Sequence, residues 1–155
     1  MPVVVRAAVH AVELADEDVQ NWCEGLAREQ IDARPCGIEP VSFHLRHLAG
    51  SLDRLLTYAE GKNLTEMQLA ELGTEMSGGK GMEELLAGWN MAREKAIRRL
   101  HALATCDLDV SRSVGREQTA TSIGGIIVHI ADHTQRHAGQ LITTVKVARG
   151  SVSVA

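Results

Sequence analysis

Aromatic side chains are nearly absent from this chain: Phe43, Tyr58, Trp22 and Trp89 are the whole set in 155 residues. Single-stranded nucleic acid is held on stacking platforms, so that class of partner is excluded. A basic surface is missing as well. The net charge is −4 with the two signs interspersed, against the patch or stripe that a nucleic-acid binder presents. Cys23, Cys36 and Cys106 are odd in number, widely spaced and without a Cys-x-x-Cys, which fits free thiols in a reducing cytoplasm rather than a disulfide framework. No apolar run approaches the roughly 20 residues of a membrane span. The opening Met1-Pro2-Val3-Val4-Val5-Arg6 is too short an apolar run for a signal peptide. These absences leave a soluble protein, expected in the cytoplasm, with a single domain over residues 1–150 and a frayed tail at 151–155. The length suffices to bury a core without disulfides or a structural metal.

What is present is helical periodicity. Val5, Val9, Val12, Val19, Trp22 and Leu26 recur at spacings of three and four, which predicts an amphipathic helix over about 3–28. Arg34-Pro35-Cys36-Gly37 breaks the pattern. Pro40 suits the first turn of a second helix carrying Val41, Leu45, Leu48, Leu52, Leu55 and Leu56, with Gly61 as its stop. Thr65-Glu66-Met67-Gln68 has the form of a capping box, so a short accessory helix over 65–76 is expected. Met82, Leu85, Leu86, Trp89, Ala96, Ile97, Leu100 and Leu103 mark a third long helix. Residues 105–118 read as a loop, long enough to suspect a functional role. Thr121 or Ser122 can cap a fourth long helix running to about Val147. The expected class is all-α, a four-helix bundle with an accessory helix between its second and third members, in simple up-down or crossover order.

The chemistry concentrates in histidines. His129, His133 and His137 stand at four-residue spacing in the last helix, beside the apolar stripe of Ile126, Ile130, Leu141 and Val145. Each step of four advances about 400° around a helix, so the three rise along one face. Imidazoles on a buried face need partners, and a divalent metal satisfies several at once. The second helix adds His44 and His47 within Phe43-His44-Leu45-Arg46-His47. A pair four apart on one helix plus a third imidazole from a facing helix makes a three-histidine centre with open positions, the pattern of a catalytic site. Asp53 and Asp132 are candidates to orient ligand imidazoles, although acidic residues on helices are usually solvated. Arg46, Arg54 and Arg136 are candidates to surround the mouth and hold an anionic substrate. Cys106 opens the long loop without a histidine partner, so a nucleophilic role is not expected of it.

Two stretches carry a family resemblance. Gly37-Ile38-Glu39-Pro40-Val41-Ser42-Phe43-His44-Leu45-Arg46-His47-Leu48-Ala49-Gly50-Ser51-Leu52-Asp53-Arg54-Leu55-Leu56-Thr57-Tyr58 resembles the second helix of the DinB-like family. His133-Thr134-Gln135-Arg136-His137-Ala138-Gly139-Gln140 resembles the His-x-x-x-His-x-Gly-Gln signature of its last helix. The resemblance implies a bundle of DinB/YfiT type with a long crossover, often dimeric. It further implies one divalent metal (nickel, zinc or iron) held by His47, His133 and His137. Relatives of this kind include thiol-dependent S-transferases and an isomerase that uses a low-molecular-weight thiol. The implied function is therefore a metal-dependent enzyme on a small molecule, of transferase or hydrolase type, with a non-catalytic, stress-linked metal-binding or dimerisation module as the alternative. This chain departs from many relatives in having Arg136 where they have a histidine, and in the extra His129. His129, Gln140, Arg136, His44 and Asp132 are the candidates to support the metal or meet the substrate, with His129 and His44 assigned supporting or rim positions. No general base emerges from the residues.

Overall fold

The apolar spacing builds helices that account for most of the chain. The structure, a computed structural model, describes residues 1–151; the frayed tail expected at 151–155 falls outside them but for the backbone of residue 151. The elements in order are α1 (Val3–Cys23), α2 (Arg28–Ile31), α3 (Val41–Ala59), α4 (Glu66–Gly73), α5 (Met82–Leu103), β1 (Ser111–Val114), β2 (Thr119–Ser122) and α6 (Ile123–Ser151). One continuous core gathers Val5, Val12 and Val19 of α1, Leu45, Leu48, Leu52 and Leu56 of α3, Trp89 and Leu100 of α5, and Ile126, Ile130, Leu141 and Val145 of α6.

Among the four long helices, α1 and α3 each pack against both α5 and α6. Bridging side chains give the directions. Gln135 reaches the Ala11 carbonyl and Arg149 those of Trp22 and Glu24, so the partners ascend together and α1 runs parallel to α6. His47 meets His133 while His44 meets Thr144, so α3 and α6 are antiparallel. Asp53 pairs with Lys95 and Thr57 with Arg99, so α3 and α5 run the same way. A parallel neighbour needs a long connection, and the segment carrying α4 provides it.

Several boundaries differ from expectation for local reasons. α1 stops at Cys23 rather than near residue 28 because Glu24 is extended and Gly25 takes φ +70°, a left-handed conformation that a helix cannot continue through. The capping box is real, with Gln68 N donating to Thr65 Oγ1 at 3.2 Å and Thr65 N to Gln68 Oε1 at 2.9 Å, but α4 ends at Gly73 instead of 76. The segment read as a loop over 105–118 instead enters an antiparallel hairpin, with Arg112 opposite Thr121 and Val114 opposite Thr119. Arg112 Nε donates to the Ala59 carbonyl at 2.9 Å, fastening the hairpin to the C-terminal end of α3. Both cap candidates for α6 lie within β2, and it is Ser122, its last residue, whose Oγ accepts the Gly125 N–H at 3.1 Å.

Candidate metal centre

The antiparallel contact of α3 and α6 sets one imidazole against two. His133 and His137 are one turn apart on α6, with ring centroids 4.5 Å apart. His47 of α3 lies 5.1 Å from the first ring and 4.3 Å from the second. Its Nε2 is 3.3 Å from His133 Nε2. Each of the three offers one ring nitrogen, and these atoms all lie within 4.8 Å of one another. His47 is also stacked on Phe43, with centroids 5.2 Å apart.

A carboxylate absent from the sequence reading orients the first ring. Glu75, in the turn after α4 and only 5% exposed, places Oε2 2.7 Å from His47 Nδ1. An ionised carboxylate only accepts, so Nδ1 carries the proton and Nε2 presents its lone pair to the other two rings. The second oxygen of Glu75 is 2.7 Å from Arg54 Nη1 in an ion pair that is itself buried. Burial alone would raise the Glu75 pKa. The hydrogen bond from His47 and the charge of Arg54 outweigh it and hold the carboxyl below its ordinary value. Arg46 Nη1 donates to the Thr74 carbonyl at 2.7 Å, fixing the turn that bears Glu75. Gly50 makes this approach possible: a Cβ there would stand 2.6 Å from Arg54 Nη1 and 2.8 Å from Glu75 Oε1.

The remaining candidates sort differently from expectation. Asp53 orients no imidazole, since it pairs with Lys95 and Arg99 and accepts from Gln68. The Asp132 side chain is exposed and makes no hydrogen bond or ion pair among the described residues. Arg54 and Arg46 are committed to Glu75 and Thr74 and are not free at a mouth. His44, expected at the rim, is buried at 2% exposure with Nε2 3.2 Å from Thr144 Oγ1; that hydroxyl donates to the Glu39 carbonyl at 3.3 Å. His129 is exposed, its ring 5.6 Å from that of His133. Arg136 and Gln140 are exposed on α6. A cleft of 840 Å³ lies among α3, α4 and α5 and is lined by Arg46, Gly50 and Glu75 but by none of the three clustered histidines.

The donor set suits a cation. Burial above all, then the charges of the neighbouring histidines and Arg136, pushes His133 down to about 3. Burial, then His47, His44 and Arg136, pushes His137 down to about 4. Neutral imidazole is the form that binds a metal ion. The Nδ1 atoms of His133 and His137 are buried without a hydrogen-bond partner among the described residues. On His133 the nitrogen that faces His47 is Nε2, at 3.3 Å, so a cation shared by these two rings would be bound there and not at the orphaned Nδ1. The cluster is thus compatible with metal binding.

A helical protein whose facing helices converge three imidazoles defines a class of candidate metalloproteins. Comparison with known families narrows it: the model of the DinB superfamily matches residues 11–141, and the chain belongs to that superfamily. No curated protein and no solved structure matches it.

Proposed function

We propose that this DinB-superfamily protein binds one divalent ion through His47, His133 and His137 and uses it as an enzyme on a small molecule, by thiol-dependent transfer or by hydrolysis. The observation that carries the reading is the carboxylate-oriented ring: Glu75 holds the proton on His47 Nδ1, and the opposite nitrogen faces His133 Nε2 at 3.3 Å. A ligand imidazole oriented by a carboxylate is the usual support of a metal site. Three protein ligands leave positions open, where a divalent ion supplies Lewis acidity and lowers the pKa of a bound water or thiol.

The chain's own residues have separable tasks. Arg54 keeps Glu75 ionised, Glu75 keeps His47 in one tautomer, and Phe43 restrains the ring by stacking. Ile130 and Leu141, both in the core, lie about one turn before His133 and one turn after His137 and anchor this part of α6. The helix directions support a four-helix bundle of DinB/YfiT type with a crossover carrying α4, while the single domain and the homodimer rest on the sequence and its family resemblance. A second reading, a metal-binding or dimerisation module without catalysis, is favoured by one observation: the 840 Å³ cleft is not lined by the clustered histidines.

Metal analysis of the native protein beside His47→Ala and His133→Ala tests the centre. One ion per chain, lost in each variant, is expected, and full retention in both ends the proposal. Assays pairing low-molecular-weight thiols with an electrophile, and a panel of hydrolysable esters and amides, separate the two readings; absence of metal-dependent turnover in all of them supports the module.

A further inference from the structure

The cleft of 840 Å³ among α3, α4 and α5 has no part in the histidine cluster, and its walls have a chemistry of their own. Its floor is core: Leu45, Leu56, Leu85, Trp89 and Ala96 line it, and each is buried. Met67 of α4 and Met91 of α5 line it as well, yet they are 72% and 73% exposed. Small-molecule sites are concavities of about 300–1,000 Å³ with largely apolar walls. Unbranched thioether side chains adapt their shape to what they cover.

Charge decides which molecules suit it. Lys95 and Arg99 pair with Asp53, Arg99 and Lys62 with Glu60, and Lys80 with Glu84. Glu75 is held by His47 and Arg54. Arg46 and Glu71 remain among the charged lining residues, one of each sign, and Arg46 donates to the Thr74 carbonyl. Gln68 is engaged with Asp53 and Thr57. The walls thus present no excess of either sign. A charged molecule would give up hydration there without an opposite charge to replace it, whereas an apolar one meets the core floor.

A glycine keeps part of the space open. Gly88 lies inside α5 and lines the cleft, and a Cβ there would meet nothing within 4 Å. Glycine is among the poorest helix formers, and no close approach within the chain calls for it at this position. A larger residue would take up room that the cleft now has.

We infer that this cleft binds a neutral, largely apolar small molecule, with Met67 and Met91 closing over it at the rim. The inference goes beyond the metal reading and uses none of the three histidines. A molecule in the cleft touches the core floor and α4 together. It adds apolar contact to a segment that Gln68 holds by hydrogen bonds, and it steadies that segment by mass action.

Titration of the full-length protein with N-phenyl-1-naphthylamine, a neutral apolar dye that brightens out of water, tests this. Wild type is compared with Gly88→Leu, Ala92→Phe and Ala87→Leu. Ala92 is a half-buried lining residue of α5, while Ala87 is exposed and outside the lining. Both cleft-filling variants are expected to bind the dye about tenfold or more weakly, the equivalent of losing roughly two buried methylene groups. Ala87→Leu is expected to bind as wild type does. Melting curves check that each variant folds, and Gly88→Leu should melt no lower than wild type. In competition, 1-naphthalenemethanol should displace the dye at about one tenth of the concentration needed by 1-naphthoate or 1-naphthylmethylammonium, because the ions must shed water. Amide hydrogen exchange in residues 66–73 should slow when the dye is bound. Unchanged affinity in either folded cleft-filling variant overturns the inference, as does no binding to wild type or an equal loss in Ala87→Leu. A charged competitor as good as the alcohol overturns the neutral class, and dye binding without slower exchange in α4 overturns the location.

Discussion

Replacing Glu75 with alanine removes one carboxylate from two partners, and the two losses can be measured apart. On the metal side, His47 loses the acceptor at 2.7 Å that holds its Nδ1 proton, and the ring is free to turn or change tautomer. Loss of such a support costs roughly 10–100-fold in metal affinity, or about 1.4–2.8 kcal/mol. On the folding side, Arg54, 8% exposed, is left as a buried cation without its partner. Breaking a buried pair costs about 3–5 kcal/mol, and the residual exposure of Arg54 favours the lower end. Glu75→Gln keeps the shape and an acceptor but not the charge, so about tenfold in affinity and roughly 1–2 kcal/mol are expected. The double variant Arg54→Met/Glu75→Ala removes both charges and should recover most of the stability while metal binding stays weak. Chelator competition reads the affinity, and guanidinium unfolding of the metal-free protein reads the stability. Wild-type metal affinity in Glu75→Ala would refute the orienting role; recovery of affinity in the double variant would show that Glu75 acts only through the fold.

Gly50→Ala should weaken metal binding by about the same factor as Glu75→Gln, because the new Cβ collides with Arg54 and Glu75. The helix propensity gained, about 1 kcal/mol, is offset by an overpacking cost of roughly 1–3 kcal/mol, and a melting curve with chelator competition checks both. Asp53→Ala should destabilise the fold by freeing Lys95, Arg99 and Gln68 yet leave metal affinity unchanged, a contrast with Glu75 readable in the same two assays. Burial tends to raise the Asp53 and Glu60 carboxyls, but hydrogen bonds and charges from Lys95, Gln68, Arg99 and Lys62 hold them below their ordinary values. Folding therefore favours their ionised forms, so their contribution is complete above about pH 5 and is lost as pH falls through the lowered values; acid titration of unfolding free energy should flatten below pH 5 in Asp53→Ala. Burial pushes the Cys23 thiol up to about 12, whereas Cys36 and Cys106 are exposed. A thiol reagent at pH 8 should therefore label two cysteines in the native protein and the third only after denaturation.

The long helices were legible because each buries a stripe whose spacing is written in the sequence, as Leu45, Leu48, Leu52 and Leu56 show for α3. The histidines were legible in part, and helix geometry explains the remainder. A step of four overshoots a full turn by about 40°, so His129 stands about 80° around α6 from His137. That drift takes it out to solvent while His133 and His137 stay turned toward α3. His44 precedes His47 by three residues, about 60° the other way, and it turns into the core against Thr144. The hairpin escaped notice because strands of four residues with mixed burial leave no clear alternation. Glu75 was not legible at all. It is one acid in a turn without periodicity, recruited across 28 positions by a tertiary contact, and Asp53 on the helix of His47 looked nearer only in sequence.

The segment that delivers Glu75 is held in an unusual manner for a helical protein. On α4 the buried residue is Gln68, while Met67, Leu69 and Leu72 are exposed. Gln68 donates to Asp53 and to Thr57, Arg46 to Thr74, and Asp32 accepts from the Gly79 N–H. Hydrophobic burial is non-directional and would let such a strap slide along α3. Hydrogen bonds are directional and fix its register, which a carboxylate aimed at one ring nitrogen requires. The same design limits its strength, because each bond contributes only about 1 kcal/mol net. The strap is thus expected to open well below the free energy of global unfolding. Each opening takes Glu75 from His47, so the orientation of one proposed ligand is coupled to the closing of this strap.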